Sequence, residues 1–292
     1  MSAVTHLHQG APSGIEAAFF DLDKTIIAKA AMAAFRRPLY AGGLVNRRSL
    51  TRSVFAHFVY LHLGASEQRS EQMRRSILRI TKGWMRAEVM DIIEEALEAI
   101  VDPIIFAEAM DLIDEHRAAG RLAVIVSTSP IEIVGPLARH LGIEETIASS
   151  AELDDEGRYT GEMDFYAYGS EKARAMCELA ERRGIDLGRS YAYSDSFTDL
   201  PMLEAVGHPT AVNPDRVLAK IATDRGWEIL HFVRPIRLRD RVRDRVYATP
   251  KSGGIAIGAG AALTACLVAV FTWWTLRKRR VGTPPLPRRY TM

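Results

Sequence analysis

A chain of 292 residues can bury one large core or two smaller ones, and with 48% hydrophobic and 25% charged residues it does not have the composition of a disordered protein. Its formal charge of +2 conceals a division, because there are 13 Lys/Arg against 2 Asp/Glu from Arg234 onward and 25 against 34 before it. The acidic body argues against nucleic acid as a partner, and two cysteines, Cys177 and Cys266, exclude a disulfide framework.

Residues 1–14 show no basic stretch followed by an apolar core, and they read as a mobile leader without an export signal. An apolar run over 15–20 stops at Asp21, and a second, RLAVIV over 121–126, stops at Ser127. Both predict buried parallel strands. Between them, helical apolar spacing over 35–40, 50–63, 69–80 and 88–100, broken at Gly42-Gly43, Gly64 and Gly83, predicts an inserted helical bundle too long for a crossover. Farther on, helical patterns at 107–119 and 170–183 alternate with a run SYAYS that ends at Asp195 and a run PTAVN that begins at Pro209. The stretch 152–164, ELDDEGRYTGEMD, alternates about a Glu-Gly turn and predicts a hairpin. The whole is the pattern of an α/β domain with a doubly wound parallel sheet, its core formed by 15–30 and 101–233 and a helical cap by 31–100. In such sheets functional residues gather outside the carboxyl ends of the strands, which is where Asp21, Ser127 and Asp195 fall.

Residues 234–254 form a basic linker in which Leu238, Val242 and Val246 give an apolar stripe among arginines. A helix lying on anionic lipid and an extended solvated linker fit it equally. Residues 255–276, IAIGAGAALTACLVAVFTWWTL, carry no charge and are closed by Trp273, Trp274 and the basic run 277–280, which predicts one transmembrane helix followed by a basic tail, 277–292. A buried soluble helix would not need the basic brackets. With 7 basic residues before this segment and 6 after it, charge alone does not orient it. Translocating a short tail is less demanding than translocating the body, so the expectation is a tail-anchored membrane protein with its α/β body in the cytoplasm.

The chemistry is expected to begin at Asp21-Leu22-Asp23. Emerging from a strand, residues i and i+2 share a face, so one carboxylate can act as nucleophile while the other exchanges a proton. Alone, such a pair is as readily a helix cap. Ser127-Thr128-Ser129 offers hydroxyls and backbone N–H groups as a cradle for phosphate oxygens, and Lys172 can neutralise a phosphate and an attacking carboxylate together. Asp195 and Asp199 supply further carboxylates after a third strand. Three carboxylates near one point repel unless a hard divalent cation is present, which implies magnesium. No His-rich metal motif competes: His57 and His62 are five apart, and no H-E-x-x-H occurs.

Taken in order, Asp21-Leu22-Asp23-Lys24-Thr25, Ser127, Lys172 and Asp195-Ser196-Phe197-Thr198-Asp199 resemble the four signatures of the haloacid dehalogenase-like hydrolase superfamily, and the insertion after the first resembles the helical cap of its phosphoserine-phosphatase branch. The resemblance implies a magnesium-dependent phosphatase acting on a small phosphorylated substrate. Asp21 would be the nucleophile, Asp23 the general acid and base, and Ser127, Thr128 and Lys172 the phosphate-binding residues. Asp21, Asp195 and the backbone carbonyl of Asp23 would hold the metal, with Thr198 and Asp199 behind them. Two departures separate the chain from phosphoserine phosphatases: Ala30 stands nine positions after the nucleophile, where an acidic residue usually holds the substrate amine, and Thr128-Ser129 replaces a Gly-Gly turn. The rival reading, a catalytically silent membrane-tethered regulator of the same fold, would be marked by loss of Asp21, Asp23, Lys172 or Asp195, and all four are present.

Overall fold

The computed structural model describes residues 14–44 and 67–233. The expected leader, the helical span 50–63, the basic linker, the membrane helix 255–276 and the basic tail lie outside the described residues. Among the described residues no helix is long and apolar enough to cross a membrane.

The apolar run before Asp21 forms β1 (Ala17–Phe20), all four residues of which are buried. Its alternation sends Ala18 and Phe20 into one hydrophobic cluster and Ala17 and Phe19 into another on the opposite face. β1 pairs in parallel with β2 (Leu122–Pro130) on one side and β5 (Tyr191–Ser194) on the other. β2 pairs in parallel with β3 (Glu145–Leu153), which turns back antiparallel into β4 (Tyr159–Phe165), as the expected hairpin. Beyond β5 lie β6 (His208–Val212) and β7 (Glu228–Leu230), both parallel. The strand order is β4-β3-β2-β1-β5-β6-β7. The chain fills one side of β1 before crossing to the other, which opens a crevice at the carboxyl ends of β1 and β5.

Helices α5 (Ala107–Ala118) and α6 (Ile131–His140) bury Met110, Ile113, Ile133 and Leu137 on the Phe20 face. On the Phe19 face, α7 (Ser170–Arg183), α8 (Leu200–Glu204) and α9 (Arg216–Arg225) contribute Met176, Leu203 and Leu218. A sheet covered on both faces is why β1 and β2 read as unbroken apolar runs.

The insertion folds as α1 (Ala31–Ala34), α2 (Arg36–Ala41), α3 (Glu67–Thr81) and α4 (Arg86–Val101). In α4, Val89, Ile93, Leu97 and Val101 recur every four residues and join the same cluster as Ile133 and Leu137 of α6. The turn between α3 and α4 is tied to the β3–β4 hairpin by backbone bonds: Gly83 N–H donates to Tyr159 O (2.8 Å), Tyr159 N–H to Trp84 O (3.1 Å) and Arg86 N–H to Gly157 O (3.1 Å). The helical insertion and the sheet thus share a core and a strip of backbone pairing.

One close approach sets a limit on the sheet's far side. A Cβ on Gly207, just before β6, would lie 1.8 Å from the backbone oxygen of Gly188, while the Gly207 N–H donates to Leu187 O (2.9 Å). Backbone on both sides cannot yield as a side chain would. Gly207→Ala should therefore cost about 1–3 kcal/mol, read as a lowered unfolding temperature, and an unchanged temperature would show that this approach is not tight.

Candidate active site

Asp21 follows β1 directly, and its N–H donates to Tyr193 O of β5 (2.9 Å), so the sheet itself fixes the backbone of the first carboxylate. Lys172, in the first turn of α7, donates through Nζ to Asp21 Oδ1 (2.6 Å) and Asp199 Oδ2 (2.8 Å), with all three side chains buried. Asp199 Oδ2 also accepts from Ser194 Oγ at the end of β5 (2.7 Å). Asp23 is held at both oxygens: Oδ1 accepts from the Ala31 N–H that opens α1 (2.6 Å), and Oδ2 from Ser129 Oγ (3.0 Å). Lys24 takes a left-handed backbone, φ +62°, and places Nζ 3.4 Å from Asp195 Oδ2.

Burial pushes the Asp21 carboxyl well above the usual range; Lys172 opposes this, and the charges of Asp199, Asp195 and Asp23 reinforce it. Burial likewise raises Asp23, against the bonds from Ala31 and Ser129. Asp195 is pushed up to about 6 by burial, with Lys24 acting in the opposite direction. Burial alone would lower the Lys172 ammonium, but Asp199 and Asp21 outweigh it and hold that group charged.

Four carboxylates therefore face two ammoniums, Lys24 and Lys172. An all-oxygen set short of positive charge suits a hard divalent cation, and Lys24 already sets a cation beside Asp195. Among the described residues no group of three or more His, Cys, Asp or Glu side chains is arranged to hold a metal. The expected set asks for two carboxylates, Asp21 and Asp195, and one backbone carbonyl, that of Asp23.

The second signature differs from expectation in detail. Ser127 does not follow β2 but lies within it, fully buried, with Oγ accepting from Ser129 N–H (3.1 Å). Thr128, expected to bind phosphate, donates its hydroxyl to Ala167 O (2.8 Å), so that hydroxyl is committed to the wall between β2 and the segment before α7. The cause is that β2 runs on to Pro130, with its register against β3 shifting between Ser127 and Pro130. Ser196 and Thr198 bond to each other (3.0 Å) beside Asp195.

Comparison with known proteins agrees with this arrangement. The profile of the haloacid dehalogenase-like hydrolases matches residues 18–204. The chain belongs to that family. It is an enzyme, a hydrolase whose named relatives include phosphatases. A probable phosphatase of Mycobacterium tuberculosis is 48% identical over 268 residues, covering 92% of this chain and 91% of that protein. A phosphoserine phosphatase of the same organism is 32% identical over 257 residues, covering 87% of this chain and 80% of its own. A solved structure of a protein of unknown function from Bordetella pertussis superposes with a TM-score of 0.66 at 28% identity, covering 75% of this chain and 99% of that one.

Three residues of the site were not singled out by sequence reasoning. Ser129 was visible only as part of a hydroxyl triplet, and Lys24 only as a neighbour of Asp23. Glu132, buried in the first turn of α6 and bonded by Arg86 Nε (2.9 Å), carries no motif at all. The charge balance predicts that adding magnesium will raise the unfolding temperature of the full chain, by the equivalent of about 2.7 kcal/mol at roughly 100 times its dissociation constant. Asp195→Asn should remove most of that shift, and a temperature that does not move across the titration would count against the fit.

Proposed function

We propose that the enzyme is a magnesium-dependent phosphatase that hydrolyses a phosphate monoester through an aspartyl-phosphate on Asp21, in the manner of the family's phosphoserine-phosphatase branch. The observation that carries this is the asymmetry between two carboxyls two residues apart. Asp21 lies against the Lys172 ammonium, whereas Asp23 is held by two neutral donors, the Ala31 N–H and the Ser129 hydroxyl. A carboxylate beside a cation is suited to attack; a carboxyl with neutral partners is suited to give and retake a proton.

Asp21 attacks phosphorus in line, and Asp23 delivers its proton to the departing alcohol oxygen. Asp23, now ionised, takes a proton from the water that hydrolyses the acyl phosphate. Lys172 balances charge on the nucleophile and on the transferring group, and Asp199 with Ser194 holds that ammonium in place. Magnesium, held by Asp21, Asp195 and the Asp23 carbonyl, would supply electrostatic stabilisation of the transferring phosphoryl oxygens.

Asp21→Asn should abolish turnover with the unfolding temperature little changed, and Asp23→Asn should lower kcat by about 10²- to 10⁴-fold. Because Asp23 must be protonated to act as acid, the rate should fall as pH rises through its pKa. Ser129 favours the ionised form, so Ser129→Ala should raise that pKa and move the alkaline limb upward. Full activity in Asp21→Asn, or a limb that moves down in Ser129→Ala, would sink this assignment.

We propose further that 255–276 anchors the enzyme in a membrane, with the catalytic domain cytoplasmic and the basic tail across the bilayer. The support is the uncharged length with aromatic and basic borders. Protease outside intact cells should spare the catalytic domain and remove a tag placed after Met292; the opposite pattern would reverse the topology, and extraction by alkaline carbonate would remove the anchor.

A further inference from the structure

The catalytic groups open into a cavity of about 340 Å³ that runs from Asp21, Lys172 and Asp195 to the helical insertion. Its far wall is largely apolar, formed by Met32, Leu39, Ile77, Trp84, Val89 and Ile93; Met163 and Tyr166 of the hairpin region close one side, where the Arg74 guanidinium lies over the Tyr166 ring (5.3 Å to its centroid). Three hydroxyls of the wall are bonded to protein acceptors. Thr81 Oγ1 donates to Ile77 O (3.1 Å), Ser149 Oγ to Thr128 O (2.8 Å) and Ser150 Oγ to Asp164 Oδ2 (2.8 Å).

Carboxylates in the described wall are committed as well. At the reacting end, Asp21 and Asp199 hold Lys172, Asp195 holds Lys24, and Asp23 holds Ala31 N–H and Ser129. Away from that end the described wall has Glu132, which is bonded by Arg86 Nε at 2.9 Å and by the Tyr159 hydroxyl. A substrate ammonium lying away from the reacting end would lose its hydration and, among the described residues of the wall, meet only Glu132, already paired with Arg86, a heavy penalty for a buried charge. A hydrocarbon body would lose nothing and leave water.

We infer that the site selects phosphate monoesters of an amine-free, largely apolar alcohol, with the phosphate at Asp21 and the carbon body against the helical wall. This rests on the phosphatase reading above and narrows it. The selection sets the chain apart from its phosphoserine-phosphatase relative, whose named substrate carries an ammonium. Soluble alkyl or aryl phosphates and single-chain lipid phosphates share this chemistry.

The test is kcat/KM of the full chain with magnesium for butyl, hexyl and octyl phosphate, O-phosphoserine, phosphoethanolamine, a monoacylglycerol phosphate and para-nitrophenyl phosphate. Each methylene that enters the wall should add up to about fourfold, so octyl should exceed butyl by on the order of 10²-fold, and both amino esters should fall below butyl. Trp84→Asp should flatten the chain-length series; the unmodified chain's series decides the matter should that variant not fold. A further gain with the monoacylglycerol ester in vesicles assigns a lipid source, and no gain over octyl assigns a soluble one. Hydrolysis of para-nitrophenyl phosphate with a flat series, or with an amino ester preferred, overturns the alcohol class and leaves the reaction standing. No hydrolysis of any ester overturns the reaction, and the alcohol class with it.

Discussion

A buried ammonium holds this site together. Lys172 is almost without solvent exposure, and it sits in the first turn of a helix, where the backbone dipole disfavours a cation. What makes that position tenable is the pair of carboxylates on either side of Nζ, Asp21 from the end of β1 and Asp199 from the turn after β5. Removing one partner of such a buried set costs about 3–5 kcal/mol, because the remaining charge cannot recover its water. The ion triad therefore ties together β1, β5 and α7, and it does so at the point where the strand order reverses.

The other polar groups take their places around that triad. Ser194 supplies the second donor to Asp199, and its backbone neighbours carry Asp195 into the crevice. With Lys172 committed to Asp21 and Asp199, Asp23 is served by neutral donors from two separate segments, α1 and β2. Two carboxyls of one residue type, two positions apart, thus come to differ in chemical character. The difference comes from their neighbours.

Backbone pairing between the α3–α4 turn and the β3–β4 hairpin, together with the Arg86–Glu132 ion pair, fixes the helical insertion over the crevice. The same α4 face that supplies Val89 and Ile93 to the hydrophobic cluster also lines the cavity. Packing and substrate space are in this way two uses of one apolar stripe. That stripe follows the ordinary helical period and looks in sequence like any core-facing helix.

Much of the architecture was legible in the amino-acid sequence, because a buried parallel strand must be apolar on both faces and a carboxylate at its end interrupts the run abruptly. Strand β1, helix α7, the hairpin and the described part of the helical insertion followed from period and position, whereas the set Asp21, Asp23, Lys172, Asp195 and Asp199 followed from the resemblance to the family's four signatures. The strands β3 and β7 were missed in whole or part: ETIASSAEL is too rich in small polar residues and EIL too short to declare itself, and both exist through pairing with a neighbour. Tertiary structure alone decided that Thr128 turns its hydroxyl to Ala167, that Ser129 reaches Asp23 across 106 residues of sequence, and that Lys24 meets Asp195 across 171. Local spacing reports which face of its own element a side chain occupies, whereas a hydrogen bond between distant segments depends on where the whole sheet brings them, and no local pattern encodes that.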